Sequence, residues 1–108
     1  MASLDELAEV KAVCPGAVYI SEGGSEFVDL PTLKIPVGDR VETRDALLSL
    51  NTHTGYTSRL YLSAPIAGRG QNWTSHMVLG RTWHTPSWNN VSPGRPIEML
   101  PQHLKVYR

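Results

Sequence analysis

The chain has 108 residues, enough for one domain whose core needs neither a disulfide nor a structural metal. Its ten basic and ten acidic side chains cancel, so no whole-chain field attracts nucleic acid or an anionic membrane. The single cysteine, Cys14, excludes an internal disulfide and a multi-cysteine zinc site, and the acidic opening MASLDELAEV has no signal-peptide stretch, so a cytoplasmic protein without a membrane span is expected.

The first predicted element is a helix. Ser3 followed by Glu6 makes a capping box, and Leu4, Leu7, Val10 and Cys14 share one face. Asp5, Glu6 and Glu9 precede Lys11, as the helix dipole favours, and Pro15-Gly16 stops the run. A hairpin follows, with strands Ala17–Ser21 and Glu26–Leu30 around a turn at Glu22–Ser25. Pro31 and Pro36 bracket Thr32–Ile35 and restrict it to a short edge strand at best. After a loop at Gly38–Arg40, Asp45–Leu50 reads as a buried strand, although so short an apolar run is equally compatible with a helix.

Asn51–Ser58 is a polar turn around Gly55, and Arg59–Ser63 alternates as a strand does. Pro65–Gly70 is loop, and Asn72–Leu79 is expected to be the last strand. Gly80–Val91, rich in Trp, reads as irregular. Ile97, Leu100, Leu104 and Tyr107 then make a helical stripe with Pro96 at its first position. Pro101 falls inside that stripe, so a kink or two short pieces is expected. The order is helix, antiparallel meander of about four strands, irregular segment and helix: an α+β domain spanning 1–108.

Catalytic motifs are absent from the sequence: it has no P-loop, no G-x-G-x-x-G, no G-x-S-x-G and no H-E-x-x-H. A reactive thiol needs a helix N-terminus or a cationic neighbour. Cys14 instead ends a helix on its apolar face, which marks it as core. His76 and His84 are the catalytic candidates, since both lie in the Trp-rich stretch and could converge on a pocket. A metal there would need further ligands such as Asp45 or His53, and neither a metal nor another cofactor is expected. Gly68-Arg69-Gly70 reads as a flexible loop.

Trp73, Trp83 and Trp88 cluster in sequence with Arg81 among them. Each indole brings a large apolar surface and an N–H that needs a partner. They either cover the sheet or, with Arg81 and Tyr56, form a partner-binding surface, since aromatic residues and Arg dominate interface hot spots.

The opening LDELAEVKAVCPGAVYISEGG resembles that of RWD and ubiquitin-conjugating (E2-type) domains, where an acidic first helix ends in an apolar-x-Pro step and runs into a meander. The middle, FVDLPTLKIPVG and then DALLSLNTHTGYTSRLYL, is similar to bacterial E2-like proteins of the prokaryotic E2 family E type. In those, a Leu-Pro segment, a Pro-x-Gly turn and an apolar strand lead to a Gly-Tyr-Pro-Ser turn. The end, NWTSHMVLGRTWHTPSW and IEMLPQHL, is similar to that family's Trp- and His-containing stretch before its final helix. These short segments together span nearly the whole chain.

This sequence departs from the pattern in three places. Thr57 replaces the usual proline, no cysteine follows the last predicted strand where E2 enzymes place the thioester thiol, and no His-Pro-Asn tripeptide is present. The resemblance therefore implies a noncatalytic, UBC/RWD-like component of a bacterial ubiquitin-like system. Its expected partners are a ubiquitin-like protein, an E1-like enzyme or a JAB-type protease, bound through a sheet edge and the Trp-rich surface. Were a histidine to stand in for the thiol, His76 and His84 are where it would be. The competing expectations are an interaction module without a ubiquitin-like link and a His-dependent enzyme.

Overall fold

Two prolines and a threonine in mid-strand set the shape of the sheet. The computed structural model describes residues 4–50, 58–88, 91–92 and 94–108. Helix α1 (Leu4–Lys11) is followed by a turn in which the Cys14 N–H donates to the Val10 carbonyl at 2.9 Å. Val10 and Cys14 are buried and Leu7 packs partly against the same core, as the helical spacing requires. The predicted cap at Ser3 lies outside the described residues. Gly16 has a packing reason to be glycine: a Cβ there would stand 2.8 Å from Pro31 Cγ.

Strands β1 (Val18–Glu22) and β2 (Ser25–Val37) form the first hairpin, and β3 (Arg40–Ser49) returns along β2. β2 is longer than the prolines predict. Its register with β3 slips between Leu30 and Leu33, so that Pro31 and Thr32 together oppose the single residue Asp45. Thr32 takes φ +52° to make this bulge. The extra residue reverses the alternation of faces and brings Leu33, Ile35 and Val37 onto the side already occupied by Val28 and Leu30.

Past Asp29, β2 has only β3 beside it, so the expected edge character holds for that half of the strand. Gly38, at φ +60°, opens the two-residue turn to β3. Val37 and Arg40 close that hairpin and exchange ladder bonds, which turns the backbone of Pro36 outward, where no N–H is needed.

β3 continues into β4 (Leu60–Leu62), which replaces the predicted alternation with three buried residues. Asn51–Thr57 lie outside the described residues. β5 (Thr74–Val78) falls inside the predicted last strand. The segment read as irregular instead contains β6 (Arg81–Thr85), which inserts between β4 and β5. Polar residues at its flanking positions hid the strand, and only Trp83 and Thr85 are buried on it. The described residues thus form a six-stranded antiparallel sheet in the order β1-β2-β3-β4-β6-β5. β4 and β6 meet through one pair, Leu62 and His84.

Helix α2 (Pro96–Leu104) begins at Pro96 as predicted, with Glu98 Oε1 accepting the Arg95 N–H at 2.9 Å. It runs through Pro101, which faces solvent, and tightens into a 3-10 turn only at Lys105–Tyr107. α1 and α2 pack on one face of the sheet, where Val10, Leu100 and Tyr107 join Val28, Leu30, Leu48 and Leu62. The opposite face carries a second cluster of Phe27, Leu47, Tyr61, Val78 and Trp83. The architecture is α+β. No helix among the described residues is long and apolar enough to cross a membrane.

Candidate functional site

The β5–β6 hairpin carries most of the sequence candidates and sorts them by parity. His76 pairs with Trp83 and Ser75 pairs with His84. Paired residues share a face and neighbours alternate, so His76 and His84 project to opposite sides of the sheet. They do not converge on one pocket.

His76 lies edge-on to Tyr61, with ring centroids 5.7 Å apart. Its Nε2 stands 2.8 Å from Thr74 Oγ1 and 3.5 Å from an Arg59 guanidinium nitrogen. A guanidinium can only donate, which makes Nε2 an acceptor and puts the ring proton on Nδ1. His84 pairs with Leu62 on the helix side, and its Nδ1 is 3.3 Å from Ser75 Oγ. Among the described residues no group of three His, Cys, Asp or Glu side chains stands close enough to hold a metal ion.

The tryptophans separate in the same way. Trp83 is buried in the second cluster, donates its indole N–H to the Val78 carbonyl at 3.2 Å, and has the Arg81 guanidinium 4.5 Å from its ring centroid. Trp73 packs on the helix side, stacked on Tyr107 with centroids 6.2 Å apart, and donates to the Arg69 carbonyl at 2.9 Å. Trp88 donates to the Gln102 carbonyl at the same distance. All three indole N–H groups serve the fold, and the rings do not form one continuous surface. Arg81 is exposed and pairs with Asp45 at 3.2 Å. Tyr56 lies outside the described residues.

A buried polar pair lies apart from the sequence candidates. Ser58 and His103 are both nearly inaccessible, and His103 Nε2 is 2.9 Å from Ser58 Oγ. A serine beside a histidine invites a catalytic reading, but the hydrogen bonding runs the wrong way. Ser58 Oγ also lies 2.7 Å from the Ser49 carbonyl, which can only accept. The hydroxyl proton therefore goes to Ser49, and the imidazole must donate Nε2–H to Ser58. In that tautomer it cannot take the serine's proton. Burial holds the His103 pKa down to about 4, so the ring is neutral near pH 7. The pair pins α2 to the β3–β4 junction.

Cys14 is equally inert. Burial pushes its thiol above the ordinary range, and Sγ lies 3.5 Å from the Pro31 carbonyl. Arg69 is held by its Nε on the Tyr107 carbonyl at 3.1 Å, so the Gly68–Gly70 loop is anchored at its centre. That loop forms one wall of a cleft of about 350 Å³ faced by Trp88 and Val106.

β5 is one of the two edge strands of the sheet, with β1 at the other end. Thr74–Val78 carries no lysine and no proline, two of the guards that usually protect a sheet edge. Met77 is the most exposed large apolar side chain of the described residues, at 72%. Val78 and Arg81 close the β5–β6 hairpin and exchange ladder bonds, so the backbone groups of Ser75 and Met77 point away from β6. Among the described residues no strand pairs with that side.

No protein-family model matches the chain, and neither a curated protein nor a solved structure matches it.

Proposed function

We propose that the protein is a noncatalytic E2-like component of a bacterial ubiquitin-like system and docks a partner strand along β5. The carrying observation is the unguarded β5 edge with Met77 at its centre. Strand addition draws affinity from main-chain bonds and specificity from alternate side chains. Ser75 and Met77 would supply the bonds, and the side chains of Met77 and Ser75 would flank the incoming strand.

The E2-like part of the reading rests on the sequence resemblance. The order of α1 and then β1–β4, each strand beside the one before it, supports it by matching the helix-then-meander that the resemblance implies. The noncatalytic part rests on Cys14, the chain's one thiol, being buried in the core. A ubiquitin-like protein, an E1-like enzyme and a JAB-type protease are the partners to test.

The experiment is isothermal titration of the purified protein against those three proteins from the same genome, alongside Ser75→Pro. That substitution removes an outward N–H and leaves the β5–β6 ladder whole. Binding that the variant loses supports the reading. Binding that the variant retains removes β5 from it. No binding to any of the three leaves a general interaction module as the better description.

A further inference from the structure

A second surface, away from β5, has its own chemistry. The turn after α1, the outer half of β2 and helix α2 enclose a largely apolar groove of about 220 Å³. Val13, Leu33, Ile97 and Leu104 line it, and Lys34 and Arg108 stand at its rim. Val13 is 60% exposed there.

The charges around this groove are unlike those elsewhere on the molecule. Arg40 and Arg44 pair with Glu42, Arg81 with Asp45 and Arg95 with Glu9. Arg69 is bonded to the Tyr107 carbonyl, and Arg59 reaches His76. Lys11, Lys34, Lys105 and Arg108 remain, all exposed and without a carboxylate partner among the described residues. Two of these line the groove, Lys105 directly follows the lining residue Leu104, and Lys11 lies two residues before Val13. The helix dipoles account for cations at the ends of α1 and α2. They do not account for Lys34, which lies on a strand.

We infer that this groove binds an acidic peptide segment of a protein partner, with large apolar side chains seated against Val13, Leu33, Ile97 and Leu104 and carboxylates on the surrounding cations. The surface is concave, and its floor includes the buried Leu33 and Leu100, whereas a bilayer requires a protruding apolar face. The β2 backbone at Lys34 faces outward beside the groove, and Pro36 removes the next outward donor. The peptide is therefore held chiefly by its side chains and charge.

The test is selection of a random dodecapeptide display library on the full chain, followed by fluorescence anisotropy with the selected peptides made synthetically. The expected peptides carry net negative charge and at least two large apolar residues, and added salt weakens them. Val13→Asp and Lys34→Glu, both at exposed positions, should each weaken binding about tenfold or more. Met77→Asp, at the β5 edge, should leave it unchanged, which separates this site from the function proposed above. Selected peptides without an acidic bias, or binding that survives both groove substitutions, would overturn the inference. So would binding to phosphatidylserine vesicles that Val13→Asp abolishes while no peptide binds.

Discussion

Asp45 accepts the backbone N–H of Thr32 at 3.0 Å across the bulge in β2, one carboxylate oxygen standing in for the strand partner that the bulge removes. Its other oxygen takes Arg81 from β6. Asp45→Ala leaves that N–H without its acceptor and should cost about 1 kcal/mol in urea unfolding. Asp45→Asn keeps an acceptor oxygen and should cost much less, because the exposed Arg81 pair contributes little by itself. The Thr32 N–H, more than Arg81, holds the Asp45 carboxyl below its usual range. Its contribution is therefore present at neutral pH and lost on acidification through that lowered value.

His103 should make stability depend on pH at a higher window. Its folded pKa is about 4 and its ordinary value is 6.5, so the unfolded chain takes up the proton first. Stability is full above about pH 6.5 and declines as pH falls toward 4, by roughly 3 kcal/mol at most. His103→Gln can still donate to Ser58 and should flatten the profile in that window. Chemical denaturation at half-unit pH steps distinguishes the two. An unchanged slope would mean that His103 is not the titrating group.

Trp83 belongs to the core. Trp83→Ala should cost about 3–5 kcal/mol by denaturant unfolding, with loss of near-ultraviolet circular dichroism. A binding defect in that variant would report unfolding, which is why Ser75→Pro and Met77→Asp are the informative changes at the hairpin.

Cys14 should react with iodoacetamide only as fast as the protein opens. Labelling that accelerates with denaturant in step with global unfolding is the expected result. Fast labelling in the native state would place the thiol at the surface.

The sequence was most legible where apolar spacing meets a clear stop. α1 with Pro15-Gly16, the β1–β2 hairpin and the start of α2 at Pro96 all lie where composition puts them. It was least legible where one backbone angle or one tertiary neighbour decides. The length of β2 turns on Thr32 adopting φ +52°, which no β-branched residue advertises. β6 was hidden because RTWHT has a single apolar residue, and its place between β4 and β5 is a matter of tertiary pairing. Gly80 was the one local sign of a tight hairpin there, and in the structure both Leu79 and Gly80 take positive φ.

Among the candidate site residues, sequence proximity misled most. His76 and His84 are separated by strand parity, and Trp83 lies across the sheet from Trp73. His103 was passed over because its partner Ser58 lies in a distant segment and meets it only when α2 docks.

The single pair joining β4 to β6 gives the molecule a seam. On one side lies a body of α1, α2 and the β1–β4 ladder; on the other, a hairpin closed by its own turn. Across the seam the hairpin is held by Trp83 in the second cluster, His76 edge-on to Tyr61, the Thr85 hydroxyl on the Leu60 carbonyl at 3.0 Å, and Arg81 on Asp45, among other contacts. Amide protons of β5 and β6 should therefore exchange with solvent as a cooperative group at lower free energy than those of β2 and β3. A strand captured along β5 would slow that group first.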